Sequence, residues 1–169
     1  TAYSKHNQES FFGVRDYNIT HESLYSNLIF NSIISNTKNK FKTGLNFSRD
    51  IYNESVDTDL YRRTDDVFGM FFEYTYDNLE NLNLVAGLRF DSHNNIGTFL
   101  SPRLHIRYQE LDKSTIFRFS VGQGRKVGNI FAENQNIFAS NRTIQIFPSN
   151  GSIYGLKPEI AWNYGLSVT

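Results

Sequence analysis

The chain contains no cysteine, which excludes disulfides and any metal centre held by thiolates. It has no run of about eighteen apolar residues, so it has no transmembrane helix. It carries no excess charge: 17 basic residues balance 17 acidic ones. Because the basic residues are dispersed, there is no electrostatic footprint for nucleic acid. The start, Thr1-Ala2-Tyr3, has no initiator methionine, charged segment or apolar leader. An export signal is therefore expected upstream. The chain stops at Leu166-Ser167-Val168-Thr169, inside an alternating pattern. Residues 1–169 are accordingly expected to form part of one domain of a longer protein.

Aromatic residues are abundant: 15 Phe, 10 Tyr and one Trp make up 15% of the chain. Such residues suit strands and membrane interfaces. Their spacing is informative. Across residues 66–77, Phe68, Met70, Phe72, Tyr74 and Tyr76 alternate with Gly69, Phe71, Glu73 and Thr75, the period of two of a β-strand. After a short polar turn, Leu82, Leu84, Ala86, Leu88 and Phe90 alternate with Asn83, Gly87, Arg89 and Asp91. A mean hydropathy of −0.46 is what results when half of every strand faces water.

The same period predicts strands over 22–34, 40–52, 99–109, 114–122 and 159–168, giving about seven in all. Residues 5–21 are expected to be a polar loop, 53–65 a long acidic loop and 93–98 a third. The longest loop is expected at 123–157, where the period disappears. Short connections near Thr37, Asn78 and Asp112 alternate with the longer ones. Strands of roughly ten residues, oily on one side and joined by alternating short and long connections, predict an all-β, antiparallel transmembrane β-barrel fragment. A passive porin-type channel and a soluble β-sandwich binding module share parts of this pattern and stand as its rivals.

The arginines identify the faces, because an arginine at the bilayer midplane costs roughly 2–4 kcal/mol in a barrel. Arg89, Arg103, Arg107 and Arg118 all fall opposite the aromatic stripe. With Glu73, Asp91 and His105 they are expected to face the lumen, where neighbouring strands allow cross-strand ion pairs. In the longest loop, Phe131, Asn134, Gln135, Asn136, Phe138 and Arg142 offer rings and amides for a ligand; the competing role is a packed loop that touches no ligand. Gly122-Gln123-Gly124-Arg125-Lys126-Val127-Gly128 misplaces its third glycine for a dinucleotide loop and has no following Lys-Ser/Thr pair, so it reads as a strand exit. His6, His21, His93 and His105 share no metal-ligand spacing. No catalytic constellation of nucleophile, base and acid is present, and neither enzymatic activity nor a cofactor is expected.

Tyr154-Gly155-Leu156-Lys157-Pro158-Glu159-Ile160-Ala161-Trp162-Asn163-Tyr164-Gly165 resembles a barrel motif of TonB-dependent outer-membrane receptors, with a Leu-Lys-Pro-Glu turn entering an aromatic strand. Ser101-Pro102-Arg103-Leu104, Phe117 to Arg125 and Asn129-Ile130 resemble the paired strands and loop before it, especially in Bacteroidetes-type receptors. The resemblance implies a barrel of about twenty-two strands in the outer membrane of a Gram-negative bacterium, in contact with its lipid. It also implies an N-terminal plug, against which the lumenal charges would dock, and a TonB-contacting segment, neither of them within this chain. The implied activity is uptake of a small scarce nutrient of the siderophore, cobalamin or glycan class.

Overall fold

The structure, a computed structural model, describes residues 1–13, 15–112, 114–140 and 153–169, with the backbone alone at Ile137. Eight strands form one sheet in sequence order: β1 (Ala2–Phe12), β2 (Arg15–Ile33), β3 (Asn39–Val56), β4 (Asp59–Asp77), β5 (Leu82–His93), β6 (Gly97–Gln109), β7 (Ile116–Lys126) and β8 (Glu159–Val168). Every pair is antiparallel. β1 and β8 are the edges of this open sheet. Within the long β7–β8 connection lie a four-residue helix, α1 (Ile130–Glu133), and a 3₁₀ turn at Gln135–Ala139.

Two predicted loops are strands, and the first of them raises the expected count of about seven to eight. Residues 5–21 form most of β1 and the start of β2, and 53–65 extend β3 and begin β4. β3 and β4 pair without interruption from Asn39↔Tyr76 to Val56↔Asp59. Their turn is tight, with Asp57 at φ 53 taking the left-handed backbone that two-residue hairpins favour. Asp57 is fixed there by accepting from Arg15 Nε at 3.2 Å and from the Asp16 amide at 3.1 Å. The connection near Asn95 is likewise short, since β5 ends at His93 and β6 begins at Gly97.

The register places the apolar stripe on one face. Leu28, Phe41, Leu45, Met70, Phe72, Leu88, Ile106, Phe119 and Leu166 share it by pairwise opposition. Partway up, this face changes character: Lys5 pairs with Glu22 at 2.7 Å, and Arg49 makes a two-point contact with Asp66 at 2.6 and 2.9 Å. Beyond that level most outward positions are polar, as at Asn18, Thr20, Asn53 and Arg62, with Phe11, Ile51 and Leu60 the apolar residues among them. A strand crossing a bilayer needs about nine to eleven residues, whereas β2 and β4 have 19 each and β3 has 18. The excess forms an extension above the ion pairs.

The β6–β7 ladder covers only Arg103↔Gly122 to Gln109↔Ile116. The Gln109 amide donates to Asn81 on the β5 side, so strand alternation aims the even-numbered N–H groups of β6 at β7. Pro102 has no N–H to give, and the ladder ends there. Above it, the Gln123 side-chain amide lies between the Leu100 carbonyl and the Trp162 indole; oriented with its nitrogen toward Leu100, it donates there at 2.9 Å and accepts from the indole at 3.1 Å.

Candidate functional site

The face opposite the stripe carries all seven residues predicted for the lumen: Glu73, Arg89, Asp91, Arg103, His105, Arg107 and Arg118. They form separate contacts rather than one network. Arg89 donates to both carboxylate oxygens of Asp91, at 2.6–3.0 Å. Arg103 donates to Glu73, which also has Lys42 at 3.9 Å. Arg107 and Arg118 lie directly opposite each other and turn to neutral acceptors, Gln109 at 2.9 Å and Thr169 at 3.3 Å. His105 is exposed beside them in an open groove.

Glycines make room for this polar layer. A Cβ at Gly69 would overlap Asn46 Oδ1 and sit 2.6 Å from Asp91 Oδ1 and 2.8 Å from Arg89 Nη2. One at Gly87 would sit 2.8 Å from Arg103 Nε. Three polar side chains thus converge over the bare backbone of Gly69.

Higher on the same face the environment turns apolar. Tyr17, Val56, Phe131 and Phe138 form a buried cluster, with Phe12, Ile19, Tyr61 and Tyr154 packed around it. Phe138 stacks on Tyr17 with centroids 5.0 Å apart, and Phe131 meets Tyr61 at 4.9 Å. Ring pairs of this kind contribute about 0.5–1.5 kcal/mol each beyond area burial. The loop is therefore fastened to the tops of β2–β4 by Phe131 and Phe138, the packed role set against ligand contact in the sequence. Asn129 caps α1, its side chain accepting from the Phe131 and Ala132 amides at 3.2 and 3.3 Å, as N-cap asparagines do. Asn134, Gln135 and Asn136 are exposed, while Arg142 lies outside the described residues.

Beside the aromatic cluster sits a buried carboxylate that sequence reasoning missed. Glu54 is 2% exposed. Its Oε1 accepts from the Tyr17 hydroxyl and its Oε2 from the Tyr154 hydroxyl, each at 2.8 Å. Burial first, and then the neighbouring Glu54, push both tyrosine hydroxyls well above the ordinary phenol range. Arg63 lies between the Tyr52 and Tyr154 rings, 4.3 and 4.9 Å from their centroids, a cation–π arrangement. Asp65 is 3.0 Å from Arg63 Nε, an ion pair whose angle falls short of a hydrogen bond. The available signal was Tyr17, Glu54 and Tyr61 falling in one phase across three strands, legible only once 15–21 and 53–65 are taken as strand.

His93 is buried and accepts the Asn95 amide on Nδ1 at 3.1 Å. Burial is the main force lowering its pKa; Arg63 acts in the same direction, and Asp65 and Asp66 oppose it. Among the described residues no three metal-ligating side chains gather, and no helix is long and apolar enough to cross a membrane. The family model "TonB dependent receptor-like, beta-barrel" matches residues 1–169. No curated protein and no solved structure gives a significant match.

Proposed function

The chain belongs to the TonB-dependent receptor β-barrel family, a family of outer-membrane receptors and transporters, and from that premise we propose that it supplies wall and ligand-selecting loop for nutrient uptake. The stripe face meets lipid up to the level of the Arg49–Asp66 and Lys5–Glu22 pairs, and the extension stands outside the cell. The charged face lines the lumen, where Glu73, Arg89, Asp91, Arg103, His105, Arg107 and Arg118 contact the N-terminal plug. TonB engages the receptor through its N-terminal part and delivers energy from the inner membrane.

The observation that carries the reading is the long connection packed over the lumenal side of the extension. Phe131 and Phe138 are its anchors, which leaves Asn134, Gln135 and Asn136 as the exposed amides that meet a ligand. The ligand is a small scarce nutrient of the siderophore, cobalamin or glycan class. A test uses the purified full-length receptor with a ferric siderophore, cyanocobalamin and an oligosaccharide as probes. One of the three should bind, and replacing Asn134, Gln135 and Asn136 together by alanine should weaken it about tenfold or more, at about 0.5–1.5 kcal/mol per lost hydrogen bond. Unchanged affinity in the triple variant removes this loop from recognition.

A further inference from the structure

We infer that Arg107 and Arg118, on the lumenal face, dock a carboxylate-bearing segment of the N-terminal plug. The inference rests on the uptake reading and deepens it: of the seven residues assigned to plug contact, it singles out the two that need a charge from the plug.

The register puts the two arginines directly opposite each other. Ile116 exchanges amide bonds with Thr169, just past β8, so the even-numbered N–H groups of β7 point to β8, as the odd-numbered ones of β6 point to β5. Arg107 and Arg118 are therefore a non-hydrogen-bonded pair, the kind in which opposed Cα atoms come to about 4.5 Å and side chains lie closest. Like charges so placed destabilise a sheet. Among the described residues the wall does not relieve them: Arg107 donates to the neutral Gln109 side chain and Arg118 to the neutral Thr169 hydroxyl. The nearby carboxylates are committed elsewhere. Glu73 holds Arg103 and Lys42, and Asp77 accepts from the Leu79 amide at 2.8 Å and the Asn83 side chain at 3.2 Å. Below the Arg89–Asp91 pair, the lumenal positions of β3 to β7 carry Lys40, Lys42, Arg103, Arg107 and Arg118 against those two acids alone.

A groove of about 430 Å³ opens beside the pair, lined also by Asn83, His105, Ser120 and Ser167. Ser120 folds its hydroxyl over the bare backbone of Gly165, where a Cβ would sit 2.6 Å from its Oγ, which keeps the floor beside Arg118 low. Arg118 is exposed and can turn to a guest. A carboxylate brings two oxygens to two guanidiniums, in bonds roughly twice as strong as neutral ones, and it cancels the repulsion between them. A neutral segment leaves the surplus in place, and a cation adds to it. The pair lies two residues from the end of β6 at Gln109, at the opposite end of the wall from the selecting loop. Its partner is therefore the resident filling of the lumen and not the incoming nutrient.

The test is zero-length cross-linking with a water-soluble carbodiimide on the full-length receptor in detergent micelles. Arg107→Lys and Arg118→Lys, made singly, keep the charge and add a primary amine. The carbodiimide activates a carboxylate, the amine attacks it to form an amide, and the carbodiimide leaves as its urea. Mass spectrometry of the digest should join position 107 or 118, each in its own variant, to an Asp or Glu upstream of Thr1. Lys42 should join Glu73, 3.9 Å away, in every sample. A receptor that gives the Lys42–Glu73 product but no plug product at either position overturns the docking, the result expected if water or free phosphate neutralises the pair. Products that join both positions only to carboxylates of the barrel overturn it as well. The double variant Arg107→Gln/Arg118→Gln supplies a second readout. Trypsin cleavage upstream of Thr1 should quicken about tenfold or more, the scale of losing one hydrogen bond to a charged group, while the barrel keeps its heat-modifiable mobility. Unchanged cleavage with that mobility intact rejects the docking alone; a wild-type receptor lacking the mobility rejects the membrane-barrel reading as well.

Discussion

Below the Arg49–Asp66 pair the stripe face is oily and the opposite face carries charge; above it the two faces exchange roles. The register passes through this level unbroken, so the backbone does not distinguish the halves. What changes is the surrounding medium. On the proposed reading, lipid surrounds the wall in the lower half and water or protein fills it, so hydrophobes point out and Glu73, Arg89 and Arg103 point in. On the same reading water lies outside the upper half, where Phe131 and Phe138 pack on the inner side. Alternation fixes which residues share a face, while the solvent on each side decides which face is apolar.

Adjacent residues on β2 give the strongest way to break this comparison. Leu28 lies on the stripe face and Ile29 on the charged face, and both are exposed apolar residues. Leu28→Arg should cost roughly 2–4 kcal/mol of barrel stability, whereas Ile29→Arg should stay within about 0.5 kcal/mol, as for an ordinary surface change. Folding titrations into bilayers read the difference directly. Equal costs would mean that no lipid lies on one side.

In the upper half the sensitive face should be the other one. Phe131→Ala should cost about 3–5 kcal/mol of local stability, as for a large buried ring, and free the β7–β8 loop for proteolysis while the barrel keeps its heat-modifiable mobility. If the loop remains protected, the aromatic cluster does not fasten it. A smaller effect is expected at the top of β5. His93 Nδ1 can accept the Asn95 amide only when unprotonated, and its pKa is held below the ordinary 6.5 by burial. Its folded value is thus below its unfolded one, so its contribution is full above about 6.5 and is lost as pH falls through that value to the folded pKa. Arg63 reinforces the neutral form and Asp65 and Asp66 oppose it. The protection factor of the Asn95 amide, the observed exchange rate corrected for the intrinsic one, should fall on acidification across that window, and His93→Gln should remove that pH dependence.

The lower half was legible in the sequence because each strand there keeps one phase. Phe68 through Tyr76 and Leu82 through Phe90 declare both strand and face, and the arginine phase placed all seven residues expected at the lumen on one side. The upper half was hidden by the exchange of faces. In β2 the apolar positions move from Leu24, Leu28 and Phe30 to Tyr17 and Ile19, which are out of phase with them, and a search for one continuous stripe reads the change as a loop. Glu54 escaped for the same reason: an acid in a supposed acidic loop gives no hint that two tyrosines from distant segments will bury it. Pro102 was visible as part of a motif, but its role in ending the β6–β7 ladder needs the register to be known.

The central claim is that the faces exchange at the level of Arg49 and Asp66. The most direct test is a spin-label scan along the even positions of β4 from Leu60 to Tyr76 in the full-length receptor in bilayers, read by collision with oxygen and with a water-soluble nickel complex. Labels at 68, 70, 72 and 74 should collide with oxygen and be shielded from nickel, while labels at 60, 62 and 64 should show the reverse, with the crossover at 66. A single oxygen-rich profile along the whole strand, or nickel access at 70 and 72, would contradict the account.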